Sequence, residues 1–173
     1  MNNRTLKTAI YVIRLLQLGY LLMVILMLYL LLATYFNWTY PEMVFNHLPH
    51  WFTIDFGENE IFQSSFNQVY YAVQGTVLAT LILLSLEALI QIIYSIRSLT
   101  AFKSDSIIKF RRIGVYTFLC FLITLVKPQY VEQVFSLKIS FEFQYLLFAC
   151  VALMLAEVFK EGNNLWEENQ LTI

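Results

Sequence analysis

Charged residues are scarce in this chain. They make up 13% of the 173 residues, whereas 59% are hydrophobic and 17% are aromatic. A soluble globular domain carries about 25% charged residues, so this composition excludes an ordinary soluble protein. It indicates instead that most of the chain lies in lipid. Once the long apolar runs are set aside, too few residues remain for two globular domains, and we interpret residues 1–173 as a single integral membrane domain.

Residues that commonly build reactive sites are also few. The two cysteines, Cys120 and Cys150, each lie within an apolar run, and no pattern indicates a disulfide framework or a zinc site. We expect both to be buried thiols that pack as small apolar side chains. There is no glycine-rich phosphate loop, nucleophile elbow or His-Glu-x-x-His motif. The sequence therefore predicts neither an enzyme nor a bound cofactor.

Long apolar runs predict four membrane-spanning helices, because about 20 consecutive apolar residues suffice to cross a bilayer. The predicted fold class is an all-α membrane protein, a bundle of four transmembrane helices. We place the helices at about residues 8–36, 68–96, 105–127 and 143–160. The first apolar run is too long for a signal peptide and lacks a cleavage site of small residues, so we expect it to remain as a membrane helix.

Two polar segments, residues 37–66 and 129–142, connect these helices on one side of the membrane. Residues 135–143 alternate strictly between apolar and polar side chains, which is typical of a strand. A shorter alternation predicts a hairpin within residues 51–65. Because a lone strand is not stable, we predict a small external β-sheet formed by about 51–65 and 134–142. Its apolar face is expected to lie on the helix ends.

The distribution of basic residues predicts the orientation in the membrane. Lys and Arg near the ends of membrane helices stay on the cytoplasmic side. If both termini are cytoplasmic, nine of the basic residues lie inside: Arg4, Lys7, Arg14, Arg97, Lys103, Lys109, Arg111, Arg112 and Lys160. Only Lys127 and Lys138 lie outside. This bias predicts a multi-pass protein of the cell membrane with cytoplasmic N and C termini.

Glu87 is the acidic residue that the sequence places deepest in the membrane. It lies ten residues from Arg97, or about 15 Å along a helix. An unpaired acid at that depth costs at least about 2.5 kcal/mol on insertion scales. Gln91 and Ser95 follow at one-turn intervals and extend a polar stripe. The stripe is either a ligand or proton site within the membrane, or a hydrogen-bonded clamp between helices.

A second polar set consists of Arg14 and Gln17 on the first helix and Glu157 on the fourth. Arg14 lies about 10 Å along its helix from Lys7, and Glu157 about 5 Å from Lys160. The two side chains are therefore expected at similar depths and predict an interhelical ion pair. Alternatively, Arg14 extends toward the lipid headgroups.

His47 and His50 have a spacing that invites a metal site. Pro49 disrupts the helix that would align them, and no cysteine or third histidine lies on that side of the membrane. We therefore predict no metal site and interpret both histidines as loop residues.

A basic segment and an acidic tail form the predicted cytoplasmic interaction surface. Its residues are Lys109, Arg111, Arg112, Trp166, Glu167 and Glu168. We expect anionic lipid headgroups at the basic loop, since they explain the charge without direct nucleic-acid binding. We also expect the tail to fold back and dock near the basic residues.

Two motifs in these segments resemble those of a known family. Residues 98–114, SLTAFKSDSIIKFRRIG, are similar to the motif "pF…N…rLr.iG", and residues 155–173, LAEVFKEGNNLWEENQLTI, to "LAeiFr.G..L.eEneLTi". Both belong to a bacterial family of small four-helix membrane proteins, domain of unknown function 2975. This chain has Ser104-Asp105-Ser106 where an Asn is usual and lacks the usual Pro before Phe102.

That family has no established activity, and its members are often gene-paired with a small helix-turn-helix regulator. The resemblance therefore implies a regulatory membrane protein with a cytoplasmic helix-turn-helix partner, and it transfers no catalytic residue. The alternative from the residues is a small-molecule binding or transport-like module with Glu87 and Gln91 in an internal pocket. A roomy polar cavity reaching Glu87 would favour the alternative, and a dry, packed bundle would favour the regulatory protein.

Overall fold

Four helices and one β-hairpin make up the described part of the computed structural model, which covers residues 3–36, 64–97, 104–131 and 134–171. The helices are α1 (Asn3–Tyr35), α2 (Ser65–Arg97), α3 (Ser104–Leu125) and α4 (Phe143–Leu171). The strands are β1 (Val126–Val131) and β2 (Val134–Ile139). The prediction of a mostly helical protein with a small sheet is confirmed.

Three of these helices are long and apolar enough to cross a membrane. The candidate spans are Thr5–Tyr29 in α1, Ser65–Ser95 in α2 and Phe143–Leu165 in α4. These spans indicate a membrane protein. Helix α3 is not among them, because three basic residues occupy its first half and leave a short apolar stretch. Four crossings and two cytoplasmic termini therefore stay predictions.

The helices pack in the order in which they occur along the chain. Helix α1 contacts α2, α2 contacts α3, and α3 contacts α4. No extensive contact joins α1 to α4 among the described residues, although such a contact closes a four-helix bundle. The described helices thus form an open row, with α3 between α2 and α4.

The best-packed region lies where α2, α3 and α4 meet. Ile92, Ile107, Phe110 and Ala156 form a buried cluster, with Ile113 and Phe159 against it. Farther along, a Cβ atom built on Gly114 of α3 would lie 2.7 Å from Cγ of Leu153 on α4. Small residues at such positions let membrane helices approach closely, which explains the glycine. Cys120 is buried as expected, but Cys150 is exposed.

The sheet is an antiparallel hairpin in which β1 and β2 follow each other directly along the chain. The strand predicted at 134–142 is present as β2, but the partner observed is β1. The end of the predicted helix 105–127 is therefore wrong, since Val126 and Lys127 belong to β1. Pairing neighbouring strands closes a much shorter loop than pairing distant ones. The predicted 51–65 hairpin lies outside the described residues except for Ser64 and Ser65, and Ser65 begins α2.

Candidate functional site

Glu87 is hydrogen-bonded to helix α1. The side-chain amide Nε2 of Gln17 donates to Oε2 of Glu87 at 3.1 Å, and the contact is partly buried. The bond joins α1 to α2, which otherwise meet through mainly apolar side chains. A side-chain hydrogen bond of this kind satisfies a polar group in lipid and holds two membrane helices together. This contact is of the clamp type.

The rest of the polar stripe has a different local arrangement. Ser95 Oγ donates to the backbone carbonyl of Gln91 at 3.0 Å, one turn back in the same helix. A serine hydroxyl in a helix commonly makes this bond to its own backbone. The side chain of Gln91 is exposed. The bond from Ser95 therefore uses the backbone carbonyl of Gln91. The amide side chain of Gln91 lies exposed at the surface of α2.

Two pockets among the described residues do not include Glu87 in their linings. One is a shallow groove on α1, lined by Thr5, Thr8, Ala9, Val12 and Ile13. The other, of about 220 Å³, lies between α2, α3 and α4. Its lining consists of Leu89, Phe110, Ile113, Thr117, Phe148, Val151, Ala152 and Leu155. Both are apolar, so neither offers the polar cavity that a ligand site at Glu87 requires.

Glu157 joins α4 to the basic start of α3. Arg111 Nη2 lies 2.6 Å from Glu157 Oε1, and Lys160 Nζ lies 3.3 Å from Oε2. The predicted partner, Arg14, is replaced by Arg111. The sequence indicates the depth of each side chain but not its lateral position, and α2 and α3 lie between α1 and α4 in the open row. The sequence therefore predicts Arg111 and Glu157 at two separate sites, whereas the structure brings them together in one.

This ion pair lies at the surface. The side chains of Arg111 and Glu157 are about half exposed, and exposed ion pairs of this kind add little to stability. The rings of Phe110 and Phe159 pack against each other in the same region, with centroids 5.0 Å apart and planes tilted by 31°. The apolar contact therefore holds α3 against α4, and the charged groups next to it remain accessible to a partner.

The tail continues the direction of α4. Helix α4 runs without a break from Phe143 to Leu171, so the expected fold-back is wrong. Continuing the helix keeps the backbone groups of the tail hydrogen-bonded. Glu168 is exposed on this extension, and Arg112 is exposed on α3. Trp166 and Glu167 are positions of α4 whose side chains lie outside the described residues, and Lys109 is half-buried.

Sequence reasoning missed a set of polar side chains at the start of α2. Asn67 is fully buried; its Nδ2 donates to the carbonyl of Tyr130 at 2.9 Å, and its Oδ1 accepts from the amide of Tyr130 at 2.8 Å. The side chain of Asn67 thereby bonds an amide and a carbonyl of strand β1, as the backbone of a neighbouring strand would. Gln129 Nε2 donates to the hydroxyl of Tyr71 at 2.8 Å. Helix α2 therefore anchors the hairpin along the edge of β1.

The same face of α2 caps the end of α3. Gln74 Nε2 donates to the carbonyl of Ile123 at 2.9 Å, and the Tyr70 hydroxyl donates to the carbonyl of Val126 at 2.8 Å. The last four carbonyls of a helix lack partners within it, and near lipid such groups must be satisfied. The available signal was the seven-residue spacing of Asn67 and Gln74, which places both on one helix face.

No group of three or more histidine, cysteine or acidic side chains that could hold a metal ion occurs in the described ranges. The histidines considered above, His47 and His50, lie outside those ranges. The described part of the chain therefore adds no support for a metal-dependent reaction.

A family model covers nearly the whole chain. No curated protein and no solved structure matches the chain. The matching model bears the description "Protein of unknown function (DUF2975)" and aligns with residues 15–173, a range that includes α2, α3, α4 and the hairpin. Both the basic start of α3 and the tail of α4 fall within the match. The chain belongs to the DUF2975 family.

Proposed function

We propose that this chain is a regulatory or interaction protein of the bacterial cell membrane that binds a cytoplasmic helix-turn-helix regulator. The binding surface is the basic start of α3 together with the end of α4. The observation that carries the proposal is the 2.6 Å contact between Arg111 and Glu157. It joins the two elements next to the contact between the rings of Phe110 and Phe159, so that they present one surface.

The chemistry of that surface suits a protein partner. Arg112 on α3 is exposed, and Glu161 and Glu168 are exposed on α4. Charges of both signs at fixed positions favour one orientation of a partner and steer its approach. Anionic lipid headgroups bind the cationic side chains nearest the membrane. A partner then contacts the part of α4 that extends farther from the membrane.

Orientation supports the same assignment. In the proposed topology, nine of the 11 basic residues lie on the cytoplasmic side. This topology requires α3, with its 22 residues and apolar second half, to cross the membrane. The transport-like alternative has less support, because Gln17 bonds Glu87 and Glu87 lines neither of the two pockets.

The test is affinity purification of the full chain from native bacterial membranes with a tag at the N terminus. We expect quantitative mass spectrometry to recover a helix-turn-helix protein that is lost when the chain ends at Lys160. A second variant, with Glu161→Lys and Glu168→Lys, reverses the charge of the tail without shortening it and is expected to weaken recovery.

Lys138→Glu, which changes a charge on strand β2, is the matched control and is expected to leave recovery unchanged. Equal recovery of the same regulator with the full chain, the shortened chain and the charge-reversed chain contradicts the proposal. Loss of recovery in the control as well shows a general effect of charge and also contradicts it.

A further inference from the structure

The β-hairpin has one apolar face and one polar face. The register pairs Val126 with Ile139, Pro128 with Leu137, and Tyr130 with Phe135, and directly paired residues lie on the same side of a sheet. The alternate pairs, Lys127 with Lys138, Gln129 with Ser136, and Val131 with Val134 beside the turn, occupy the other side, which is polar except at the turn.

On strand β1 the protein covers the polar face, whereas both faces of β2 are exposed. Gln129 is only 7% exposed and bonds Tyr71 of α2, whereas Val126 and Tyr130 on the same strand are 43% and 38% exposed. On β2, Leu137 and Ile139 are 62% and 66% exposed. The expectation that the apolar face lies on the helix ends holds for Phe135, whose ring lies 6.5 Å from that of Phe66 at the start of α2, but not for Leu137 and Ile139. A soluble protein buries the apolar face of such a sheet and exposes the polar face.

The hairpin lies next to a membrane span. Strand β2 ends at Ile139, and the candidate span of α4 begins at Phe143. Four residues reach at most about 14 Å, so the sheet cannot lie far from the bilayer. Phe141 and Phe143 stack at its base with ring centroids 5.9 Å apart, and both are exposed. The apolar face thus continues toward the exposed apolar surface of α4.

We propose that the apolar face of the hairpin lies on the membrane itself, at the interface of the leaflet where α3 ends and α4 begins. Lipid is the occupant that explains why Leu137 and Ile139 of the apolar face stay open while the protein covers the polar Gln129. A large exposed apolar patch marks a surface for a membrane or another protein. Here the continuous apolar surface of a membrane span and the short connection to it favour the membrane.

The depth of the hairpin is limited by its backbone. An open strand edge does not occur within the hydrocarbon region, because its amide and carbonyl groups would lack partners. The sheet therefore lies flat in the interface, buried by about 5–10 Å as interfacial segments are. Lys127 and Lys138 are on the opposite face, where their charges remain in water or reach headgroup phosphates.

Site-directed spin labelling tests this placement. The full chain, with Cys150→Ala, receives single cysteines at Leu137, Ile139, Ser136 or Lys138; Cys120 is retained because it is buried. All four positions are exposed, so a label there does not disturb packing. The labelled protein is reconstituted into vesicles of phosphatidylethanolamine and phosphatidylglycerol. Collision rates with oxygen, which enters lipid, are compared with those of a water-soluble nickel chelate.

We expect labels at 137 and 139 to collide several-fold more often with oxygen than with nickel, and labels at 136 and 138 to show the reverse. Preferential collision with nickel on both faces places the hairpin in water and overturns the proposal. Low collision rates with both reagents at 137 and 139 overturn it as well, because they show that protein covers the face, either a second copy or residues 37–63 of the same chain. This test is independent of any cytoplasmic partner.

Discussion

Asn67 is the residue whose replacement is expected to be most damaging to the hairpin. It is fully buried and bonds both backbone groups of Tyr130. Asn67→Leu leaves that amide and carbonyl without partners, and each unsatisfied buried group costs about 1–3 kcal/mol. We expect lower stability to denaturant in detergent and faster hydrogen exchange at the amide of Tyr130.

Thr80→Val is the control, because its hydroxyl is exposed and bonds only the carbonyl of Thr76 in its own helix. It is expected to leave both measurements nearly unchanged. Equal effects of the two substitutions contradict the anchoring role of Asn67.

The bond between Gln17 and Glu87 predicts energetic coupling between α1 and α2. In a double-mutant cycle with Gln17→Leu and Glu87→Leu, we expect a coupling of about 0.6 kcal/mol, the average for hydrogen bonds between membrane helices, and at most about 1.7 kcal/mol. Glu87→Gln keeps an oxygen acceptor and is expected to retain most of it. Unfolding in mixed micelles measures the coupling, and a value near zero contradicts the clamp.

Residue chemistry could be predicted from the sequence better than residue partners. The spacing from Arg97 marked Glu87 as a deep polar residue, but nothing in one sequence identifies Gln17 as its neighbour. Similar depths of Arg14 and Glu157 predicted a pair that the order of helix packing rules out, since α3 supplies Arg111 instead. Depth follows from counting along a helix, whereas lateral position depends on packing.

At the scale of elements, Gly114 controls how closely α3 and α4 approach. A Cβ atom there would lie 2.7 Å from Cγ of Leu153 and 3.4 Å from the carbonyl of Ala149. We expect Gly114→Ala to separate the helices and destabilise the protein, since overpacking typically costs about 1–3 kcal/mol. Thermal unfolding in detergent measures the loss.

Gly19→Ala on α1 is the matched control, because no atom of the described residues outside its own stretch of helix lies within 4 Å of the added carbon. Alanine favours a helix over glycine by about 1 kcal/mol, so this variant is expected to be as stable as the parent or more stable by up to about that amount. Adding Leu153→Ala to Gly114→Ala is expected to restore much of the loss. No recovery in that double variant contradicts the steric explanation.

The two strands show which features of the fold a sequence pattern predicts and which it does not. Strict alternation in residues 135–143 predicted β2, whereas β1 contains Lys127 and Pro128 and resembles the end of a helix. Two side chains of α2 that satisfy the carbonyls of Ile123 and Val126 make the change from helix to strand possible. Such tertiary support has no local signature. Alternation also predicts the apolar face of the sheet. Whether protein, lipid or water lies against that face depends on the surroundings of the sheet, which the pattern does not describe.

At the scale of the whole molecule, α3 decides the topology. Spans in α1, α2 and α4 alone would place the two termini on opposite sides of the membrane. Helix α3 has 22 residues, or about 33 Å, and the basic residues at its start can extend toward headgroups. If it crosses, the termini share a side, and the basic start of α3 lies beside the end of α4.

Labelling of termini in intact cells tests this central claim most directly. Single cysteines at the N terminus, at the C terminus and at Lys138 are exposed to a membrane-impermeant thiol reagent, in the full chain with Cys150→Ala. We expect labelling at position 138 in intact cells and labelling of both termini only after the membrane is opened. Labelling of one terminus but not the other in intact cells shows three crossings and contradicts a shared cytoplasmic surface of α3 and α4.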